Sequence, residues 1–530
     1  MKKLIRLFNA VFMAVPLGTA LFFALVYFFG GWGWLIPDFG PEHFIGLPKL
    51  DKRIVGLLIV IFCVLLLCVL LKLAGKIDKS ALKPKTKALL FSVFIFLFAA
   101  ITRLSVIYLF REDLAPYSDF QRSWELAHGN LEAGGFDYYL LFPSYLNYSV
   151  YMSAVIKIFG DSFVNVLYLN TVLSGFIALL IFLTVKKLSS NNIAAFIGGM
   201  LYAAFPAEIL YNAVNTPEFL TVSFNTAGVL LLVYTLSCET KIKYILSAAA
   251  GILIGIGSSY KTFGIIILIA FSMAFAAKQL IRKDKKLLCR LAVSLCSVLL
   301  LFAGYTVSKS AVYGVTAKIY DTELDTGSSL PHFLMVGLNT EAEGQYGGSP
   351  LSLAYVDAYW QTGQDAEEAK EIAFEALKSD WKNNPEKIPR LFFRKSVWAW
   401  QDDMIPVHYF NNTVGLKPDS PLENFIYNFT TKYVPSVNQL YYVLLLFSAV
   451  LFSIIYFRRR ELDFGMEFIF LIIFGYFCLM LLSEAQSRYK CLIIPYICIL
   501  SSLGIYQITK TVKERIKNGR FTLHRRPRLQ

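Results

Sequence analysis

Apolar runs close to the roughly twenty residues that cross a bilayer as a helix recur along most of this chain, separated by short polar breaks. They fall near 8–30, 54–73, 89–109, 162–185, 193–211, 217–237, 244–258 and 263–279. A ninth ends near 308, a tenth closes on Arg458, an eleventh precedes Ser483 and a twelfth follows Pro495. Two long stretches escape the pattern, 111–147 and 309–437. The pattern predicts an all-α polytopic membrane protein, a bundle of about twelve transmembrane helices with one large extracytoplasmic domain. The boundaries it sets are 1–308 for a first bundle that includes the loop 111–147, 309–437 for the extracytoplasmic domain, 438–510 for the last helices and 511–530 for a basic tail.

Composition agrees: the 530 residues are 56% hydrophobic and 15% aromatic, with a mean hydropathy of +0.54. A soluble protein of several domains is not built this way. The formal charge of +14 would suit a nucleic-acid partner, but the Lys and Arg sit in short clusters between apolar runs, as cytoplasmic loops do when they fix a topology. Counting spans from KLAGKIDKSALKPKTK at 72–87 puts Lys186 and Lys187, RKDKK at 282–286, Arg458 to Arg460 and the tail HRRPRLQ on one side, so both termini are expected in the cytoplasm. The N-terminal run reads as an uncleaved first span, followed by an outer interfacial loop, GGWGWLIPDFGPEHFIGLPKLD. None of the eight cysteines shows disulfide or zinc spacing, and no metal site is expected from them.

Chemistry is then sought in the outer polar stretches. Asp119, in REDLAPYSD beyond the third span, can act as a general base toward a hydroxyl. The plain alternative is a helix cap, since Ser118 or Asp119 stands where FQRSWELA begins. Glu112 and Asp113 are the rival acids. Arg103 lies about 10 Å inside the outer end of its span, where a cation either snorkels or meets a carboxylate or phosphate. Lys261 and Arg488 also fall at outer span ends and would suit a phosphate leaving group, with membrane anchoring as the alternative for Lys261. Glu484, Arg488 and Tyr489 form a compact polar cluster. In the large outer stretch, Ile372, Ala373, Ala376 and Leu377 mark the apolar face of a helix that ends by Pro385, and Arg390 to Trp400 reads as an amphipathic segment at the lipid boundary. GLNTEAEGQYGGSP follows no strand and has no GKS or GKT, so a phosphate loop is not expected.

Four of these places together resemble a known group. Arg103 with YSDF at 117–120, FPAEILYNAVNTPE at 205–218, MVGLNTEAEGQY at 335–346 and EAQSRYKCLIIP at 484–495 are similar to bacterial membrane glycosyltransferases of the GT-C superfamily, near the dolichyl-phosphate-mannose protein mannosyltransferases (glycosyltransferase family 39) and the aminoarabinose transferases. The resemblance implies an enzyme of the bacterial plasma membrane that moves a sugar from a polyprenyl-phosphate donor to an extracytoplasmic hydroxyl acceptor, in protein, cell-wall polymer or lipid. Asp119 takes the place of the family's outer-loop acid. Arg488 takes that of a basic residue at the lipid phosphate, and Lys261 a turn where relatives often show Arg-Pro, although Thr262 follows it here. Glu218 matches an acid at the start of a span and has no assigned role; Tyr489 and Glu484 support the site. A single displacement inverts the anomeric centre. No cofactor is required by the sequence, and a divalent ion, which some relatives bind, is left open. Competing readings are a flippase or transporter of lipid-linked sugars and a polymerase or ligase of surface glycans.

Overall fold

The computed structural model describes residues 2–29, 50–130, 139–282, 286–324, 329–346, 349–414, 420–458 and 462–517. Among them the regular structure is helical throughout, with no strand. In chain order the helices are α1 (Lys2–Phe29), α2 (Leu50–Lys79), α3 (Pro84–Phe110), α4 (Asp119–Ala127), α5 (Pro143–Phe159), α6 (Phe163–Ser189) and α7 (Asn192–Ala203). Then come α8 (Pro206–Tyr211), α9 (Glu218–Ser237), α10 (Ile242–Ser258), α11 (Gly264–Ile281) and α12 (Leu287–Tyr320). The large polar stretch folds as α13 (Ser329–Leu338), α14 (Pro350–Gln361), α15 (Ala366–Asn383), α16 (Lys387–Trp400) and α17 (Ile405–Val414). After it follow α18 (Pro421–Arg458), α19 (Phe464–Leu482), a 3-10 turn at Ser487–Leu492 and α20 (Ile494–Lys517).

Among the described residues eight helices are long and apolar enough to cross a membrane: α2, α3, α6, α9, α11, α12, α18 and α19. Three of the other expected spans are shorter apolar helices, Ala14–Phe29 within α1, α7 and α10. The last is α20, whose first turns from Ile494 to Gly504 are enclosed by protein. A single fifth span from 193 to 211 is not what forms. Pro206 cannot donate to a continuing helix, and it starts the separate helix α8 instead. Helices α12 and α18 both run well past the expected domain edges, to Tyr320 and from Pro421. The expected loop after α1 lies mostly outside the described residues, as do parts of the basic clusters at 282–286 and 458–460 and the end of the tail.

Local sequence explains the helix ends. Proline stands at the first turn of α3, α5, α8 and α14, where a missing N–H costs nothing. Asp365 and Asp463 cap α15 and α19 by accepting backbone N–H groups. Gly160, at φ 94°, closes α5 in a conformation that a side chain would strain.

Two expectations for the polar stretch are corrected. The buried face of α15 is Ala369, Ala373 and Leu377, while Ile372 is exposed. Most of the second half of helix α16 is enclosed by protein: Arg394, Lys395, Val397, Trp398 and Trp400 are buried, and Trp400 packs edge-on to Tyr476 of α19. The same spacing that marks a lipid-facing amphipath also marks a helix buried on most of its surface, because carbonyl acceptors can take its cations.

Packing is close where α10 crosses α12. A Cβ on Gly251 would collide with the Leu301 carbonyl oxygen, and one on Gly255 with Ser308 and the Tyr305 carbonyl. Small residues let the two backbones touch, which is how membrane helices gain packing without a hydrophobic drive. Gly251→Leu is expected to lower the thermal midpoint of the detergent-purified protein, at a cost of about 1–3 kcal/mol or more. Gly314→Leu on the same α12, where a side chain meets open space, serves as the control and leaves the midpoint in place.

Candidate active site

The site assembles at the end of the bundle where α3, α10 and α19 finish and α9 begins. Loop-to-loop hydrogen bonds gather those ends: the Ala115 N–H donates to the Thr413 carbonyl at 2.9 Å, Asn215 Nδ2 to the Phe120 carbonyl at 3.0 Å, and Asn147 Nδ2 to the Ser259 carbonyl at 2.7 Å. The 205–218 motif is fixed from below by α6. Asn170 Nδ2 reaches the Val214 carbonyl, Ser174 donates to Asn212 Oδ1, and Asn212 Nδ2 donates to Thr171 Oγ1. This buried network sets where α9, and with it Glu218, begins.

Asp119 opens α4. The capping position belongs to Ser118, which sits at φ 58° and makes no side-chain cap, so neither residue caps the helix as the plain alternative required. The Asp119 carboxylate instead accepts a hydrogen bond from Tyr145 Oη at 3.1 Å. Its chain neighbours Tyr117 and Phe120 pack on the ring of Tyr409, at centroid distances of 5.6 and 5.9 Å. Tyr409 is in turn the partner of Arg488.

Arg488 is 5% exposed. It donates through Nη1 to Tyr409 Oη at 2.7 Å and through Nη2 to Tyr489 Oη at 3.3 Å, with its guanidinium over both rings. Tyr489 passes its own proton donor to Glu484 Oε2 at 2.7 Å. The arginine therefore stands in a phenol clamp, bonded to neutral oxygens that an incoming anion can displace, with no carboxylate on it directly. Lys261 also lies over the Tyr489 ring, 4.6 Å from its centroid, and its Nζ is 3.6 Å from Glu218 Oε1. Asp119, Lys261, Arg488, Tyr489, Glu484 and Glu218 thus form one connected set, although α4, α9, the α10–α11 turn and the 484–490 segment are far apart in sequence.

The other sequence candidates lie elsewhere. Arg103 is fully buried and donates through Nη1 to the Ala203 carbonyl at 3.0 Å and the Ala99 carbonyl at 3.3 Å, with Nη2 at 3.5 Å from the Tyr202 carbonyl. A cation there complements the C-terminal end of α7. Glu112 is solvent-exposed and paired with Arg111 at 2.9 Å. Asp113 is half-buried at the end of α3, its N–H bonded to the Phe110 carbonyl.

Structure adds residues that the sequence reading did not single out. Tyr145 and Tyr409 touch the acid and the arginine. Lys490, fully buried, bonds the carbonyls of Ala399 and Asp402 and lies 3.8 Å from Asp403 Oδ1. Lys395 bonds the carbonyls of Gly337 and Leu481, and burial pulls its ammonium down to about 7 against the opposing pull of Glu484. The 335–346 motif is strapped to the site segment: the Ala485 N–H donates to the Gly344 carbonyl at 3.1 Å, Gly344 sits at φ 78° against the Lys395 stem, and Glu343 pairs with Arg390 and Arg394. Among the described residues no group of three or more His, Cys, Asp or Glu side chains stands close enough together to hold a metal ion.

Residues 148–303 match the family model described as dolichyl-phosphate-mannose-protein mannosyltransferase. The matched segment holds Glu218 and Lys261 and leaves Asp119 and Arg488 outside it. This match bears out the resemblance to GT-C membrane glycosyltransferases. No curated protein matches the chain. Among the solved structures similar to it are two oligosaccharyltransferases. One is the archaeal oligosaccharyltransferase AglB from Archaeoglobus fulgidus in complex with an inhibitory peptide and a dolichol-phosphate, at 13% identity and a TM-score of 0.38, over 83% of this chain and 52% of that one. The other is the Archaeoglobus fulgidus oligosaccharyltransferase complex with Zn and sulfate, at 15% identity and a TM-score of 0.37, over 70% of this chain and 41% of that one. The chain thus spans about half the length of these structures or less.

Proposed function

We propose that this membrane glycosyltransferase moves a sugar from a polyprenyl-phosphate donor to a hydroxyl of an extracytoplasmic acceptor, in a bacterial plasma membrane, with both chain termini cytoplasmic. The observation that supports it is the shared aromatic wall: Tyr409 packs on the residues either side of Asp119 and bonds Arg488. That wall holds a carboxylate and a guanidinium on one side chain, and a glycosyl transfer from a lipid phosphate needs a base and a cation together.

In this reading Asp119 accepts the acceptor's hydroxyl proton, with Tyr145 aligning its carboxylate. The hydroxyl oxygen bonds to the anomeric carbon from the side opposite the phosphate, so the centre inverts. The bond from that carbon to the phosphate oxygen breaks, and its electron pair stays on the lipid phosphate. Arg488 and Lys261 face the charge that develops there. Arg103 is left to hold α7 and takes no part at the phosphate.

The test uses the full-length protein in proteoliposomes with a polyprenyl-phosphate sugar and a hydroxyl acceptor. Arg488→Gln is expected to raise the donor KM about 10- to 100-fold, the equivalent of losing one or two charged hydrogen bonds. An unchanged donor KM removes Arg488 from the phosphate. Translocation of the lipid-linked sugar without any transfer to the acceptor would instead favour a flippase.

A further inference from the structure

Glu218 is out of place in a site read as binding an anion. It is 1% exposed, and among the described residues neither carboxylate oxygen has a hydrogen-bond partner. The nearest cation, Lys261, is 3.6 Å away, beyond a good charged hydrogen bond. Around it lie the phenols of Tyr148, Tyr211 and Tyr409 and the thiol of Cys491, all within its field. An acid kept only to neutralise Lys261 would close to bonding distance and have its second oxygen bonded as well, because a buried unsatisfied carboxylate is costly.

We infer that Glu218 sets the charge the donor site accepts, offsetting one of its two cations so that Lys261 and Arg488 hold a singly charged phosphodiester and release the doubly charged monoester that transfer leaves behind. The inference rests on reading Lys261 and Arg488 as the phosphate ligands. Its logic follows from the reaction's balance. The donor phosphate is a diester with one negative charge. When the anomeric carbon departs, the bonding pair remains on the phosphate oxygen and the acceptor's proton remains on Asp119, so the phosphate gains a second charge. Phosphate monoesters carry about −1.5 to −2 at neutral pH. Two cations without an acid would therefore grip product more firmly than donor, and turnover would stall. With Glu218 beside Lys261, the second charge meets a carboxylate in a low-dielectric pocket, where like charges repel strongly.

The experiment measures binding of polyprenyl phosphate, the product, and of the sugar phosphodiester donor to the full-length protein in nanodiscs. Glu218→Gln is expected to tighten polyprenyl phosphate about tenfold and the donor by much less. Single-turnover transfer persists in this variant while steady-state turnover falls behind it. Equal weakening of both ligands means that Glu218 only holds Lys261 in place, and an unchanged ratio means that it has no charge role; either overturns the inference. A second measurement needs no variant: polyprenyl pyrophosphate, more highly charged, binds the wild-type protein more weakly than the phosphodiester does, and tighter binding overturns the inference as well. The site reading has its own arm, since Lys261→Met and Arg488→Gln should each weaken both phosphates. If neither does, the phosphate site itself is wrong, whatever Glu218 does.

Discussion

Asp119→Asn is expected to cut sugar transfer by about two to four orders of magnitude, the usual worth of a positioned general base. The carboxamide keeps the shape of the side chain and can still meet the Tyr145 hydroxyl, so expression, thermal midpoint and donor affinity should stay near wild type. The loss should appear in kcat, because the proton moves only as the acceptor oxygen attacks. Glu112→Gln is the matched control: its carboxylate faces solvent beside Arg111, and its removal should leave transfer intact. Asp113→Asn tests the remaining rival. Should it abolish transfer while Asp119→Asn leaves the rate untouched, the base is Asp113 and the proposed geometry falls. Tyr145→Phe removes the one hydrogen bond seen on Asp119 and should lower kcat by about tenfold, in line with a single aligning bond.

The largest effect on stability is expected from Lys490→Met. Lys490 bonds two backbone carbonyls and faces Asp403 in a fully buried position. Burial pushes the Asp403 carboxyl up to about 6, with Lys490 opposing that rise and Asp402 adding to it. Neither Asp403 oxygen has a hydrogen-bond partner. Lys490 is its cation, so methionine, though close in volume, leaves a buried acid alone. Breaking such a pair from one side costs about 3–5 kcal/mol. The expected result is a steep fall in folded protein recovered in detergent. Combining it with Asp403→Asn should restore part of the loss, because the charge that lost its partner is then gone as well. A double variant no better than Lys490→Met alone would show that the carbonyl contacts, and not the acid, are what Lys490 supports.

How much of this was legible follows from what each residue is buried in. Helices such as α2 and α12 present apolar residues to lipid, and their hydropathy announces them. The first half of α20 is enclosed by other helices, and α7 is cut short before Pro206; burial in protein relaxes the demand for length and apolarity that a span must meet alone. The site acids and cations could be found because a charge at a span end needs a reason. Their connections could not be, since the connectors are tyrosines. Tyr145 and Tyr409 sit in stretches already rich in aromatic residues, where nothing marks one phenol as the partner of a guanidinium. Asp402 and Asp403 left a faint sign: two acids wedged between WAW and MIP are poorly placed for a solvated loop. The amphipathic pattern of α16 was real but ambiguous, since lipid, water and carbonyl-rich protein all accept its charged side.

The pairing of Lys490 with the Asp402–Asp403 segment also has a history within each molecule. Synthesis runs from the N-terminus, so Asp119, Glu218 and Lys261 leave the ribosome long before the segment that supplies Arg488 and Lys490. Before the 484–490 segment is made, Asp119 stands without Arg488, and Asp402 and Asp403 stand without Lys490. Both clusters are thus complete only once the C-terminal segment has been made.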